Sequence, residues 1–254
     1  MESILIIKNF LNKLYISKYT YLIVFISLIT GLIKELLIVS ILIIIHEFGH
    51  YLLSYIFKWN IYKIYIYPFG GLIKYEDIID KPLYEELLIT IAGPLFQFII
   101  FFIIIIFKGY FSSYFIKSLY NYHIYMSIFN LLPIIPLDGS KIVNIILNKF
   151  LNYKLSNNIL IIISILFLIG FIVIFKNNYS YYFIICFLLY KTIEFFKNRK
   201  YLIYRFVYEK YLYNNNYKKR RVINSISKMK RNKKHIFKCN NKLYTEKEFI
   251  KKGV

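Results

Sequence analysis

Alanine is almost missing from this chain of 254 residues: it occurs once, at Ala92. There is one Trp, and there are only two Cys, five Pro and nine Gly. So few Cys exclude a disulfide scaffold, and so little Pro and Gly exclude collagen and low-complexity disorder. Cys186 lies in an apolar run and Cys239 in the basic C-terminal region, so nothing implies an oxidising compartment. Acidic residues are scarce too, 13 against 34 Lys and Arg. Ile, Tyr, Phe, Lys and Asn fill the space, which leaves 58% of residues hydrophobic and 19% charged. Soluble domains average about 45–50% apolar and about 25% charged, so a soluble fold is excluded. The bias fits AT-rich coding. Ile-for-Ala and Lys-for-Arg exchanges are then uninformative, and each Ala, Pro or Gly that remains is more informative.

The positive charge is concentrated at one end. Residues 198–254 hold 18 Lys and Arg against three Glu, while the first 197 residues hold 16 basic and ten acidic side chains. This divides the chain into a hydrophobic body, 1–197, and a basic extension, 198–254. A greasy body with a basic tail points to a membrane protein whose tail lies in the cytosol, with nucleic-acid binding as the competing reading.

A span needs about 20 mostly apolar residues. Six segments qualify: 17–33, 36–57, 83–107, 114–136, 158–175 and 179–196. The first is short, and the last is interrupted by Lys191 and Glu194, which are spaced to pair on a helix. No small-residue cleavage site follows the first run, so it reads as an uncleaved anchor. With the N terminus inside, the inner loops and tail collect most of the Lys, and the outer loops hold only Lys34, Lys108, Lys117 and Lys176. The positive-inside rule therefore puts both termini in the cytosol of a multi-pass cell-membrane protein. No repeat of 20–50 residues is visible. The expected fold is an all-α polytopic membrane protein of about six transmembrane helices. It carries a short membrane-associated β segment and a small basic cytosolic C-terminal extension.

His46-Glu47-Phe48-Gly49-His50 is an HExxH motif. Positions i and i+4 share a helix face, so both imidazoles can reach one ion with the glutamate beside it. At this chain's composition a chance match is expected in roughly one of 400 sequences. A pair of core histidines is the alternative, but ionisable groups inside an apolar helix are costly and usually functional. The flanking residues are apolar on every face, which places the motif inside the membrane.

Catalytic zinc takes three protein ligands and leaves a position open. His123 stands fifteen residues before Asp138, about 22 Å along a helix, so these two cannot share a depth. Asp138 follows Asn130-Leu-Leu-Pro133-Ile-Ile-Pro136-Leu, where two prolines break the helix at the interface and free backbone. The second and fourth spans run in the same direction. The histidines lie in the cytosolic half of one, and Asp138 lies at the cytosolic end of the other. Glu47 is needed as base, so Asp138 is the expected third ligand, against the alternative of an ordinary Asp-Gly turn.

Together these two segments resemble the site-2 protease family of intramembrane zinc metalloproteases, and the sporulation branch of that family most. Tyr67-Pro68-Phe69-Gly70-Gly71 and Ala92-Gly93-Pro94 match family landmarks as well. The resemblance covers roughly residues 20–190. It implies Zn2+ on His46, His50 and Asp138, with Glu47 as general base. It also implies substrate contacts at Asn130 and Pro133 and around Pro68, Gly70 and Gly71. The nucleotide-binding CBS module common in this branch is not recognisable, and the PDZ module of the envelope-stress relatives is absent. The resemblance further implies a membrane-associated protein substrate, a pro-sigma factor where the likeness extends to sporulation, and an inhibitory membrane partner. Another regulatory substrate, or a non-catalytic metal-binding or transport protein with the same ligands, is the alternative.

Residues 61–67 are β-rich and read as a short strand, either an interfacial tyrosine belt or an edge that adds an extended substrate. Ala92-Gly93-Pro94 suits close helix approach, with a helix-start proline as the alternative. In the tail, 235–245 reads as a hairpin around Asn240-Asn241, and Thr245 to Glu248 as a helix cap. The basic clusters read first as a surface for anionic lipid and next as a dock for an acidic partner. Specific nucleic-acid binding is not expected, because no reading module is recognised.

Overall fold

The computed structural model describes residues 2–67, 70–76, 79–175, 180–213, 217, 219–239 and 242–251. The chain divides into two compact units, one of residues 1–77 and 88–131, the other of 78–87 and 132–254.

In the first unit, α1 (Glu2–Lys13) leads through β1 (Leu14–Ile16) into α2 (Lys18–Thr30), and α3 (Ile33–Ile56) follows. Gly31 ends α2 with φ +73, a left-handed conformation that suits glycine. Next come β2 (Ile61–Tyr67) and β3 (Gly70–Tyr75), then α4 (Leu83–Ile106) and α5 (Ser113–Asn130). The expected strand 61–67 is thus the middle of a three-stranded sheet. It pairs in parallel with β1, Leu14 opposite Ile64, and antiparallel with β3, Ile66 opposite Gly71. Ile61 and Ile64 are both buried although three residues apart. A register shift between Ile61 and Lys63 resets the alternation, as a bulge does. Both pack with Phe10 of α1 and Tyr51 of α3. Further along α3, Ile38 and Leu42 meet Leu119 of α5, with Phe101 and Ile104 of α4 against them.

The second unit holds α6 (Asp138–Phe150), α7 (Tyr153–Ile174), α8 (Ser180–Leu212), β4 (Arg220–Ile223), β5 (Lys234–Cys239), β6 (Lys242–Thr245) and α9 (Glu246–Lys251). α8 runs unbroken past residues 197 and 198, where composition divides the chain. β5 pairs with β4 in parallel and with β6 antiparallel, so the tail holds a second sheet. The Asn240-Asn241 turn lies outside the described residues. The Thr245 cap is reciprocal. Thr245 N donates to Glu248 Oε2 at 2.9 Å, and Glu248 N donates to Thr245 Oγ1 at 3.4 Å. Phe206 and Val207 of α8 form one core with Tyr153, Ile223, Met229, Phe237 and Phe249.

The protein is mostly helical with two small sheets, one built on the expected strand 61–67 and the other on the expected pairing within 235–245. The six expected spans also resolve unequally. Among the described residues three helices are long and apolar enough to cross a bilayer: α3, α4 and α7. α2, with 13 residues, is about 20 Å long against a hydrocarbon core of about 30 Å. α5 carries Lys117, Asn121, His123 and Asn130 within 18 residues. The apolar stretch of α8 is broken by an ion pair, Lys191 Nζ to Glu194 Oε2 at 2.8 Å. α4 and α7 leave long apolar rows exposed, among them Phe102, Ile103 and Ile106, and Ile162, Leu166 and Val173. Surfaces of this kind are stable against lipid and a liability in water.

Candidate metal centre

α3 carries the motif, and its helical period sets both imidazoles on one face. His46, Glu47 and His50 are 2%, 4% and 3% exposed. Their ligand atoms lie within 4.8 Å of one another, the one such His/Cys/Asp/Glu group among the described residues. The outer nitrogens of both rings are spoken for. His50 Nδ1 is 2.7 Å from the Ile89 carbonyl, which only accepts, so Nδ1 carries the proton. His46 Nδ1 is 3.1 Å from Gln97 Oε1, again an acceptor. With both Nδ1 atoms turned to outer acceptors, the two Nε2 atoms lie 3.1 Å apart on the inner side.

Nitrogens bound to zinc at about 2.0–2.1 Å in tetrahedral geometry sit about 3.3 Å apart. A ring nitrogen held by an outer acceptor is also how ligating histidines are ordinarily oriented. The donor set fits a divalent metal.

Glycines admit the neighbouring backbone. A Cβ at Gly93 would fall 2.3 Å from His50 Nε2, and one at Gly71 2.2 Å from Glu47 Cδ. A Cβ at Gly49 would fall 2.5 Å from the Ala92 carbonyl, so α3 and α4 meet where the chain's one alanine stands. Pro94 lies inside α4, not at its start, which excludes the helix-start reading. Its ring removes an amide from the ladder one turn above the Ile89–Thr90 carbonyls. β3 places Gly71 against the Glu47 carboxylate, and Gly70, at φ +155, begins that strand.

The other expected residues sit as follows. Asn130 is buried as the last residue of α5. Pro68 lies outside the described residues. Pro133 and Asp138 belong to the second unit. The Pro133 carbonyl accepts from Ser164 Oγ at 3.3 Å. Asp138 is 4% exposed in the first turn of α6, with Lys141 Nζ 2.8 Å from its Oδ1. It is therefore a buried helix-start carboxylate, not an exposed turn. His123 is no ligand of the trio, since its Nδ1 faces Gln97 Nε2 at 3.1 Å. Sequence reasoning overlooks Gln97 and the Ile89 carbonyl. The first has a signal, being the chain's single glutamine, set in an apolar helix; a backbone carbonyl has none.

A buried, metal-competent HExxH helix among long apolar helices defines a membrane metalloprotease. The family model described as Peptidase family M50 matches residues 34–121, from the start of α3 into α5. Stage IV sporulation protein FB of Bacillus subtilis (strain 168) is 31% identical over 207 residues, 78% of this chain and 71% of that protein. A zinc metalloprotease of Methanocaldococcus jannaschii is 33% identical over 138 residues, 52% of this chain and 39% of that one. The fold is similar to that of the solved site-2 protease from Methanocaldococcus jannaschii. The TM-score is 0.60 at 23% identity, covering 71% of this chain and 89% of that one. The chain belongs to peptidase family M50, the site-2 protease family, and is a metalloprotease of the membrane.

Gly71 offers a direct check on the role expected of Glu47. The carboxylate it touches is the end of a flexible side chain, so a methyl group there displaces Glu47 and leaves the fold. Gly71→Ala is expected to retain metal and helicity while cleavage falls about 10²-fold, the cost of roughly 1 Å of misplacement. Wild-type cleavage by this variant would mean that Glu47 works from elsewhere.

Proposed function

We propose that the chain is an intramembrane zinc metalloendopeptidase that cuts a membrane-associated precursor near the cytosolic face. His46, His50 and Asp138 would hold zinc, and Glu47 would be the general base. One observation carries this reading: two buried imidazoles bring their Nε2 atoms within 3.1 Å, with each Nδ1 on an outer acceptor and a carboxylate alongside. Bound zinc supplies Lewis acidity, which acidifies water and polarises a carbonyl. Glu47 takes the proton of the attacking water and passes it to the leaving amine. Support for Asp138 comes from its burial and from the proline-framed segment before it.

Among the described strands β3 pairs with β2 alone, leaving its other edge for an extended substrate. A peptide added there would run past Gly71, and so past Glu47. Asn130, Pro133, Pro68 and Gly70 would contact it. The six-span arrangement with both termini cytosolic keeps this site at the inner face, the body being 1–197 and the extension 198–254. Kinship with the sporulation protein favours a pro-sigma factor as substrate and an inhibitory membrane partner; another regulatory membrane protein is the alternative. The exposed basic residues of the extension, such as Arg220 and Arg221, would meet anionic lipid.

Metal analysis of purified protein tests the ligand set. Wild type is expected to hold one zinc per chain, and Asp138→Ala to lose most of it on dialysis. Undiminished zinc in that variant would remove Asp138 from the site.

A further inference from the structure

Gln97 is 1% exposed in the middle of α4 and stands between the metal histidine His46 and α5. A side-chain amide has a donor end and an acceptor end, and here α5 determines which end faces which way. The Nε2 end lies 3.3 Å from the backbone carbonyl of His123 and 3.3 Å from Ser127 Oγ. The carbonyl can only accept. Ser127 Oγ gives its own proton to that same carbonyl, at 2.8 Å, and so offers Gln97 a lone pair. The third neighbour, His123 Nδ1, can accept as well. Its ring is stacked on Phe101 with centroids 4.2 Å apart and meets Phe98 edge-on, which holds it in place.

The amide nitrogen must therefore face α5, and Oε1 must face α3. An acceptor at that position is compatible with only one neutral tautomer of His46, the one protonated on Nδ1. Turned the other way, the amide would donate to Nδ1, and the proton of His46 would move to the nitrogen meant for the metal. His50 has the same constraint from a backbone carbonyl, which no side-chain substitution removes. For His46 the constraint depends on side chains.

We propose that Gln97, its amide oriented by Ser127 and the His123 carbonyl, is a positioning residue that fixes the tautomer of His46 and thereby sets the metal affinity of the centre. The proposal rests on the metal reading above. It acts through an acceptor, so any side chain that keeps an oxygen toward His46 and a donor toward α5 should serve. A protonated glutamate does both.

The test is zinc affinity of the full chain in detergent, read by competition with a chromophoric chelator, with helicity as the fold control. Gln97→Leu is expected to weaken zinc binding about 10- to 100-fold, the usual cost of losing the outer partner of a ligating histidine. Gln97→Glu is expected to stay within about threefold of wild type or to bind more tightly, because the outer acceptor is kept. Equal affinity in Gln97→Leu and wild type overturns the proposal alone. Absence of zinc from wild type overturns the metal reading and the proposal with it. Should Gln97→Leu fail to fold, Gln97→Glu decides, and a loss of tenfold or more there counts against the acceptor role.

Discussion

Glu47→Gln is expected to suppress cleavage and to keep the metal. The amide has the shape of the carboxylate, so it fits the same space against Gly71, where a Cβ would come within 2.2 Å of Cδ. It cannot take a proton from water. A positioned general base contributes about 10²–10⁴ in rate, so cleavage should fall by about that factor. Metal content should not change, because the two imidazoles and their outer acceptors are untouched. Stability should hold or rise slightly, since an amide is cheaper to bury than a charge. The measurement is co-expression with tagged candidate membrane precursors, comparing fragment size and yield between wild type and variant. Fragments at wild-type yield from Glu47→Gln would falsify the assigned mechanism.

The parts of this site that are legible in the sequence are those in which residue type alone carries the chemistry. His46 and His50 can be read because a helix repeats near four residues, and strand 61–67 because β-branched and aromatic residues crowd it. The rest depends on partners that leave no mark in composition. β1 has three residues and exists by pairing with Ile64 to Ile66. α1 is a short apolar segment whose stripe, Ile6 and Phe10, has meaning only once Tyr51 lies against it. β4 pairs with β5 in parallel across residues 224–233, where Asn224, Ser225 and Asn232 mark a loop but do not say which strands it joins. The locks on the two histidines use an Ile89 carbonyl and an amide oriented by a His123 carbonyl, and backbone oxygens look alike at every position. Helix ends fall short of the apolar runs for a related reason. Apolar content places 17–33 and 114–136 in the bilayer, whereas the helices end at Thr30 and Asn130, where Gly31 and the Pro133–Pro136 segment stop them.

The basic extension is read from sequence as a solvated, lipid-facing tail, yet some of its cations are internal. Lys210 and Asp80 are almost wholly buried, Nζ 2.7 Å from Oδ2. Lys210 also donates to the Lys233 carbonyl at 2.7 Å, and Asp80 Oδ1 accepts from Asn232 N at 2.9 Å. Arg231 pairs with Glu86 at 2.7 Å and reaches the Lys81 carbonyl. Glu209 accepts from Ile79 N, and Tyr217 donates to the Asp80 carbonyl. Residues 79–86 are thus gripped by the end of α8 and by the segment around 217–235, and they lead directly into α4, the helix bearing Ile89, Gly93 and Gln97. Removing one member of a buried ion pair costs about 3–5 kcal/mol, because the survivor is left charged and unmatched; replacing both by apolar residues of similar volume is often neutral. Lys210→Met is therefore expected to lower the thermal midpoint in detergent by roughly 6–20 °C at about 2–4 °C per kcal/mol. Asp80→Leu combined with Lys210→Met should recover most of that loss. Cleavage should follow stability in both, since neither residue belongs to the metal centre. A Lys210→Met protein that melts with wild type would mean that the pair is solvated and that the extension does not hold this segment.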